Sequence, residues 1–252
     1  MPLLLLAGLF FATAFAYAMV GFGGGSTYTA LLVLADTDYR ILPAISLACN
    51  ITVVTGSTIR FAQAGLIEWK RLVPLCAASI PLAWLGGLIH VPERVFITLL
   101  GLALLASAFA LAFRRPDPGA RVYSMPRWAE PFLGGGTGFL AGMVGIGGGI
   151  FLAPLLHLVR WGPARTISAA AAFFILVNSL AGLAGQLQRM AGSAHLSDLL
   201  VYWPLLPAVL IGGQIGVWIG RDKASDTWLI RLTALLVLFV SIRLLWRAIA
   251  GG

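Results

Sequence analysis

Two stretches of this chain have residue types and spacing suited to chemistry. They are Gly21, Phe22, Gly23, Gly24, Gly25 and, 124 positions later, Gly145, Ile146, Gly147, Gly148, Gly149. Each interrupts a long apolar run. Glycine inside a helix costs about 1 kcal/mol relative to alanine, so three in succession with a fourth two places upstream predict a helix break. A helix restarting after such a break presents unpaired N–H groups and the positive end of its dipole, an arrangement that binds anions. Ser26 and Thr27 add hydroxyl donors after the first break, whereas Ile150 and Phe151 add none after the second. A site built from both is chemically lopsided. The competing reading is that the glycines only let two helices cross closely. A phosphate-binding loop is excluded, because no Gly-Lys-Ser/Thr follows either stretch.

The remaining candidates are polar groups inside apolar segments. Asn50 and Asn178 read as counterparts in mid-helix, where an unsatisfied amide is costly; each must bond either substrate and break backbone or a neighbouring helix. Arg60, near one end of its segment, either extends to lipid headgroups or attracts an anion at a vestibule. Gln186 and Gln188 occupy the corresponding stretch downstream. These groups give a predicted substrate-binding set of Gly23, Gly24, Gly25, Ser26, Thr27, Asn50, Arg60, Gly147, Gly148, Gly149, Asn178 and Gln186. His157 reads as a packed, hydrogen-bonded histidine rather than a proton carrier. Cys49 and Cys76 lack metal or redox spacing and read as small core residues.

No catalytic residue, metal site or cofactor is expected, since HExxH, GxSxG and Cys/His clusters are missing from the sequence. All nine acidic residues fall at segment ends or in loops, not where a proton relay or sodium ligand would lie within a span. Facilitated, voltage-driven movement of an anion is the simpler expectation. A non-transporting structural or sensory membrane protein is the alternative, but it needs neither two matched breaks nor the polar helix that follows each.

The elements that position these residues are membrane segments. Hydrophobic residues are 60% of the chain and charged residues 10%, mean hydropathy is +0.94, and soluble domains carry about 25% charged residues. Runs of about 20 apolar residues imply about eight spans in an all-α polytopic membrane protein. The net charge of +8 comes from basic residues at the ends of apolar runs, which is membrane usage rather than a nucleic-acid surface. The first apolar run has no basic residues before it and reads as a retained helix, not a cleaved leader.

Residues 2–35 are too long for one crossing at 1.5 Å per residue, so the break divides them into residues 2–20 and a short piece, 26–35, in a re-entrant or unwound geometry. Segments 41–67, 72–89 and 95–113 follow, the last almost purely aliphatic and expected to face lipid. Residues 114–128, rich in proline and arginine, link two homologous halves, 1–113 and 129–252. The second half repeats the plan with a broken unit at 130–159, a polar segment at 166–190, and segments 199–219 and 229–249. Pro81, Gly86 and Gly87 match Pro207, Gly212 and Gly213, and Gly212, Gly216 and Gly220 form a small-residue face. Matched glycine-interrupted segments in two repeats point to a transporter's binding site. Trp69, Trp128, Trp161 and Trp228 lie near segment ends, where aromatic belts form.

With these features the chain resembles the TauE/SafE-type sulfite exporters, a broad group of bacterial anion transporters. The resemblance covers both halves and centres on Gly145 to Gly149 with Pro154 five residues on; the first half has Ala30 in place of that proline. It implies export of sulfite, an organosulfonate or a related small anion across the bacterial inner membrane. The expected partners are that anion and the lipid bilayer, not nucleic acid, and the reading leaves room for a homodimer. Counting each broken unit as one crossing puts nine basic residues on the linker side and six on the other, which places the linker in the cytoplasm. The halves are then parallel; a re-entrant unit makes them inverted.

Overall fold

The structure, a computed structural model, describes residues 1–19, 21–89, 92–112, 129–159, 161–191 and 195–220, with isolated helical positions between 234 and 249. The expected linker at 114–128 and most of the last segment lie outside the described residues. Secondary structure among the described residues is entirely helical. In chain order the helices are α1 (Leu3–Ala18), α2 (Gly25–Leu34), α3 (Leu42–Gln63), α4 (Trp69–Leu88), α5 (Glu93–Ala112), α6 (Ala129–Val144), α7 (Gly149–Leu158), α8 (Ala164–Met190), α9 (His195–Leu200) and α10 (Leu205–Gly220). Among the described residues three stretches, Leu42–Gln63, Trp69–Leu88 and Arg165–Met190, are long and apolar enough to cross a membrane.

Small residues decide which helices touch. Lipid supplies no hydrophobic drive between helices, so close backbone approach does the work. On α6, Gly134, Gly138 and Gly142 rest against the Leu75, Ser79 and Ala83 carbonyls of α4, and a Cβ at Gly138 would stand only 2.6 Å from the Ser79 oxygen. On α10, Gly212 and Gly216 rest in the same way on the Phe11 and Phe15 carbonyls of α1. The matched glycine pairs reach further: Gly86 meets α6 and Gly87 meets α8, while Gly212 meets α1 and Gly213 meets Val53 of α3. Helices α4 and α10 therefore pack mainly on elements from the other end of the sequence.

These contacts also fix directions. Arg189 donates from α8 to the carbonyls of Arg40 (3.0 Å) and Ile89 (3.3 Å), and Tyr202 donates to Thr37 at 3.2 Å. The α2–α3 connection, the end of α4, the end of α8 and the start of α10 thus share one rim. At the opposite rim Arg71, at the start of α4, donates to the Trp161 carbonyl at 2.7 Å, joining the α3–α4 and α7–α8 connections. Helices α3 and α8 consequently run antiparallel. Since α10 leaves the Arg40 rim and packs in register with α1, α1 leaves that rim too, yet α2 ends there.

The broken unit turns back on itself, so counting it as one crossing is incorrect. Stacked rings of Phe10 and Tyr28, 4.6 Å apart, and the shared Tyr17–Thr27 hydrogen bond at 2.9 Å hold α1 against α2. In the same way α6 and α7 turn back from the opposite rim: α6 starts beside Leu75 near the start of α4, α7 leads to Trp161 at that rim, and at the tip Gly148 lies against Ala141 and Thr137. Corresponding helices run in opposite directions, which is the inverted arrangement.

Two other expectations change. Trp161 is fully buried, with the Arg71 guanidinium 4.1 Å above its ring, so it packs the connection rather than joining an interfacial belt; Trp69 is exposed. On α5, Val95, Leu102 and Phe109 are exposed while Ile97, Leu104 and Ala108 are buried, so only one face is turned outward. The expectation for His157 lies outside the described side chains. Cys49 and Cys76 are buried and free.

Candidate functional site

Both glycine breaks close on the same residue. Gly21 and Gly24 have φ of +90° and +85°, and Gly145 and Gly148 have +76° and +80°, conformations that cost a residue with a Cβ about 1–2 kcal/mol. The glycine pattern thus puts left-handed residues at two matching places in each break, and the second break has a third at Gly147, φ +72°. In the first turn, a Cβ on Gly23 or Gly25 would collide with the Asn50 amide. In the second, a Cβ on Gly147 would stand 3.0 Å from Asn50 Nδ2 and 2.6 Å from Ser179 Oγ.

Between the breaks lies a small cavity, about 30 Å³, lined by Tyr17, Phe22, Gly23, Gly24, Gly25, Ser26, Asn50, Ile146, Ile150, Ala153 and Ile175. Its polar groups come from one side, with Tyr17, Ser26 and Asn50 joined by the start of α2. The first intrahelical acceptor, Gly24 O, takes the Tyr28 N–H at 3.0 Å, leaving the earlier amides of that turn without intrahelical partners. The Gly25 carbonyl is occupied differently, accepting from Ser46 (2.8 Å) and Thr29 (2.9 Å). What α2 offers to the cavity is therefore donor capacity.

Asn50 is fully buried, and neither its Nδ2 nor its Oδ1 has a hydrogen-bond partner among the described residues. Ser179 Oγ is buried and unpartnered as well. Leaving a buried polar group unsatisfied costs about 1–3 kcal/mol, and here two such groups flank one glycine.

The predicted set is only partly gathered here. Gly23, Gly24, Gly25, Ser26 and Asn50 line the cavity, Thr27 bonds the Tyr17 hydroxyl that also lines it, and Gly147 touches Asn50. Gly148 faces Phe174 and Ala141, and Gly149 faces Ile175. Asn178 is not brought to the cavity. Its Nδ2 donates to the Phe174 carbonyl one turn back at 2.8 Å, and the residue that meets the second break as Asn50 meets the first is Ile175. Gln186 is engaged elsewhere, donating to the Gly142 carbonyl at 3.1 Å and accepting from Arg189 at 2.6 Å. Gln188 is exposed and accepts from Trp84 Nε1 at 3.2 Å. Arg60 lies about 15 Å along α3 from Asn50, half-buried, with Nη2 3.5 Å from Gln214 Oε1.

Sequence reasoning missed Tyr17, Ile175, Ser179 and Gln214. Tyr17 lies one turn before the first break, and Ile175 is found by counting from the glycines rather than by matching residue type. No group of three or more His, Cys, Asp or Glu that could hold a metal occurs among the described residues.

Comparison with known proteins covers almost the whole chain. The family model described as "Sulfite exporter TauE/SafE" matches residues 5–244. A "Probable membrane transporter protein" of Sinorhizobium fredii is 36% identical over 245 residues, covering 96% of this chain and 97% of that protein. A protein of the same description from Bacillus subtilis is 22% identical over 92% of this chain and 93% of its own length. One from Methanocaldococcus jannaschii is 26% identical over 73% and 71%. No solved structure matches.

Proposed function

The chain belongs to the TauE/SafE family, multi-pass membrane transporters, and from that premise we propose that it is a secondary transporter or facilitator exporting a small anion across the bacterial cytoplasmic membrane. Sulfite, an organosulfonate or a related sulfur or organic anion is the substrate class. The observation that carries this reading is Asn50, whose buried amide has no partner among the described residues and stands against both helix breaks. An oxyanion between the breaks would accept from Asn50 Nδ2 and from the first amides of α2, with the α2 dipole adding favourable potential.

The family and the donor set support transport rather than catalysis, and the chain is read as no enzyme. With the segment expected at 229–249 as a further crossing, the chain is read as about eight membrane segments in two inverted halves. An anion leaving a cell moves with the membrane potential, which supplies about 2.3 kcal/mol per charge per 100 mV. No acidic residue lies mid-span in the sequence to bind a driving cation.

The revised directions sharpen orientation. Counted from the sequence, the connections between α3 and α4, α5 and α6, and α7 and α8, with the helix ends beside them, carry Lys70, Arg71, Arg114, Arg115, Arg121, Arg127, Arg160 and Arg165, against Arg40, Arg94 and Arg189 at those between α2 and α3, α4 and α5, and α8 and α9. The Trp161 rim is therefore read as cytoplasmic. The test is efflux of sulfite and short alkylsulfonates from proteoliposomes under an inside-negative potential. Efflux above protein-free vesicles is expected, and equality for every anion would refute transport. In intact cells, a Ser124→Cys protein should resist an impermeant thiol reagent; labelling from outside would reverse the orientation.

A further inference from the structure

We infer that Ile175 sets which anions the cavity accepts: by making its second wall apolar, it favours an oxyanion that carries a small apolar group over a bare oxyanion. The inference rests on the transport reading and deepens it. Ile175 stands on α8 where Asn50 stands on α3. Gly23 and Gly25 abut Asn50, Gly147 and Gly149 abut Ile175, and one turn further on Val54 and Ser179 take matching places against Gly23 and Gly147. An inverted pair of helices has thus put an amide on one wall and a branched alkane on the other.

The chemistry follows from that substitution. Every polar side chain that lines the cavity, Tyr17, Ser26 and Asn50, lies on the first-break side; Phe22 is the apolar side chain there, and Ile146, Ile150, Ala153 and Ile175 supply the side chains of the other wall. A bare SO₃ anion fully inside would turn some oxygens toward isoleucine and lose their water without replacement. An anion with a methyl or ethyl group would point it there and keep its oxygens on the donors. The cavity is small, about 30 Å³, so a short apolar group suits it better than a long one.

Sulfite and methanesulfonate are suitable probes because they share the SO₃ group and differ by one methyl. Buffer acidic enough to keep sulfite singly protonated equalises their charge. Binding to the purified protein, read as thermal stabilisation, and efflux from proteoliposomes should both favour methanesulfonate by about tenfold. Ile175→Asn should erase or reverse the preference, and the milder Ile175→Thr should shift it the same way by less. Wild-type preference for sulfite, or an unchanged ratio in folded variants, would overturn the inference. The expected binding preference without efflux would overturn transport alone, and failure of both anions to bind would overturn both.

Discussion

At the first break a Cβ added to Gly25 would strike the amide of Asn50; at the second, one added to Gly149 would strike the aliphatic chain of Ile175. The two turns place left-handed glycines at two equivalent positions, Gly21 with Gly145 and Gly24 with Gly148, and the second adds Gly147; both sit where inverted helix hairpins meet. Their chemistry is opposite. Both helix starts leave amides free, but the first break adds Tyr17, Ser26 and the unpartnered Asn50 amide to the cavity lining, while the side chains lining it from the second are Ile146, Ile150, Ala153 and Ile175, with the Ser179 hydroxyl behind Gly147. Duplication can keep a fold's geometry, which many side chains tolerate, while the two copies of a site diverge to hold the two ends of one ligand.

The largest expected effect breaks that comparison at its centre. Asn50→Leu removes the cavity's main donor and also removes two unsatisfied buried atoms, so anion efflux should fall by 100-fold or more, on the order of 3 kcal/mol. Thermal stability should hold or rise, because an apolar replacement of similar shape removes the cost of unpaired polar atoms. Asn178→Leu is the contrast. Its Nδ2 already bonds its own helix, its buried Oδ1 is unpartnered, and neither atom lines the cavity, so efflux per folded protein should stay within about threefold, under about 1 kcal/mol. Equal losses in the two variants would show that both asparagines serve the anion and would restore the pairing by residue type.

A middle-sized effect tests the walls. Neither Gly25 nor Gly149 has a positive φ, so alanine at each acts through its Cβ alone. Gly25→Ala forces the Asn50 amide aside, and Gly149→Ala forces Ile175 to repack. Overpacking should lower stability in both by about 1–3 kcal/mol. Efflux measured per folded protein should drop at least about tenfold for Gly25→Ala, since misplaced donors cost roughly that much or more, and only a few-fold for Gly149→Ala. The reverse order would mean that the apolar wall, not the donor wall, positions the anion.

How far the sequence led depends on which kind of signal was read. The breaks, the segment lengths and the small-residue faces were legible because glycine's cost in a helix and its permissiveness for close approach are local properties. Gly212 and Gly216 do press on α1, and Pro81 with Gly86 and Gly87 does match α10 in its packing role. The polar partner of the second break was misread because residue type was matched instead of position. Asn50 follows Gly23 by 27 places and Ile175 follows Gly147 by 28, so counting pointed near Ile175 all along. Direction was not legible at all. Whether a 10-residue helix continues a crossing or turns back depends on contacts such as Phe10 with Tyr28 and Arg189 with Arg40, which join residues far apart in sequence.

The smallest expected effect lies outside the cavity, at Arg60, where the two sides of α3 compete. Its guanidinium faces Gln214 at 3.5 Å, a long contact that leaves most of its five donors for solvent or a passing anion. It stands toward the Trp161 rim, the one proposed as cytoplasmic. An arginine about 15 Å from the cavity acts on an anion beyond the Debye length of 8–10 Å at physiological salt, so it should raise local concentration at the entrance without changing the bound state. Arg60→Gln should therefore weaken apparent affinity by about two- to fivefold at low ionic strength, the scale of one screened surface charge, with the maximal rate unchanged. The difference should vanish at high salt. Efflux titrated against anion concentration at two ionic strengths makes the measurement. A salt-independent loss would place Arg60 in the binding site itself, and no loss at either ionic strength would leave it a headgroup contact that also braces α10.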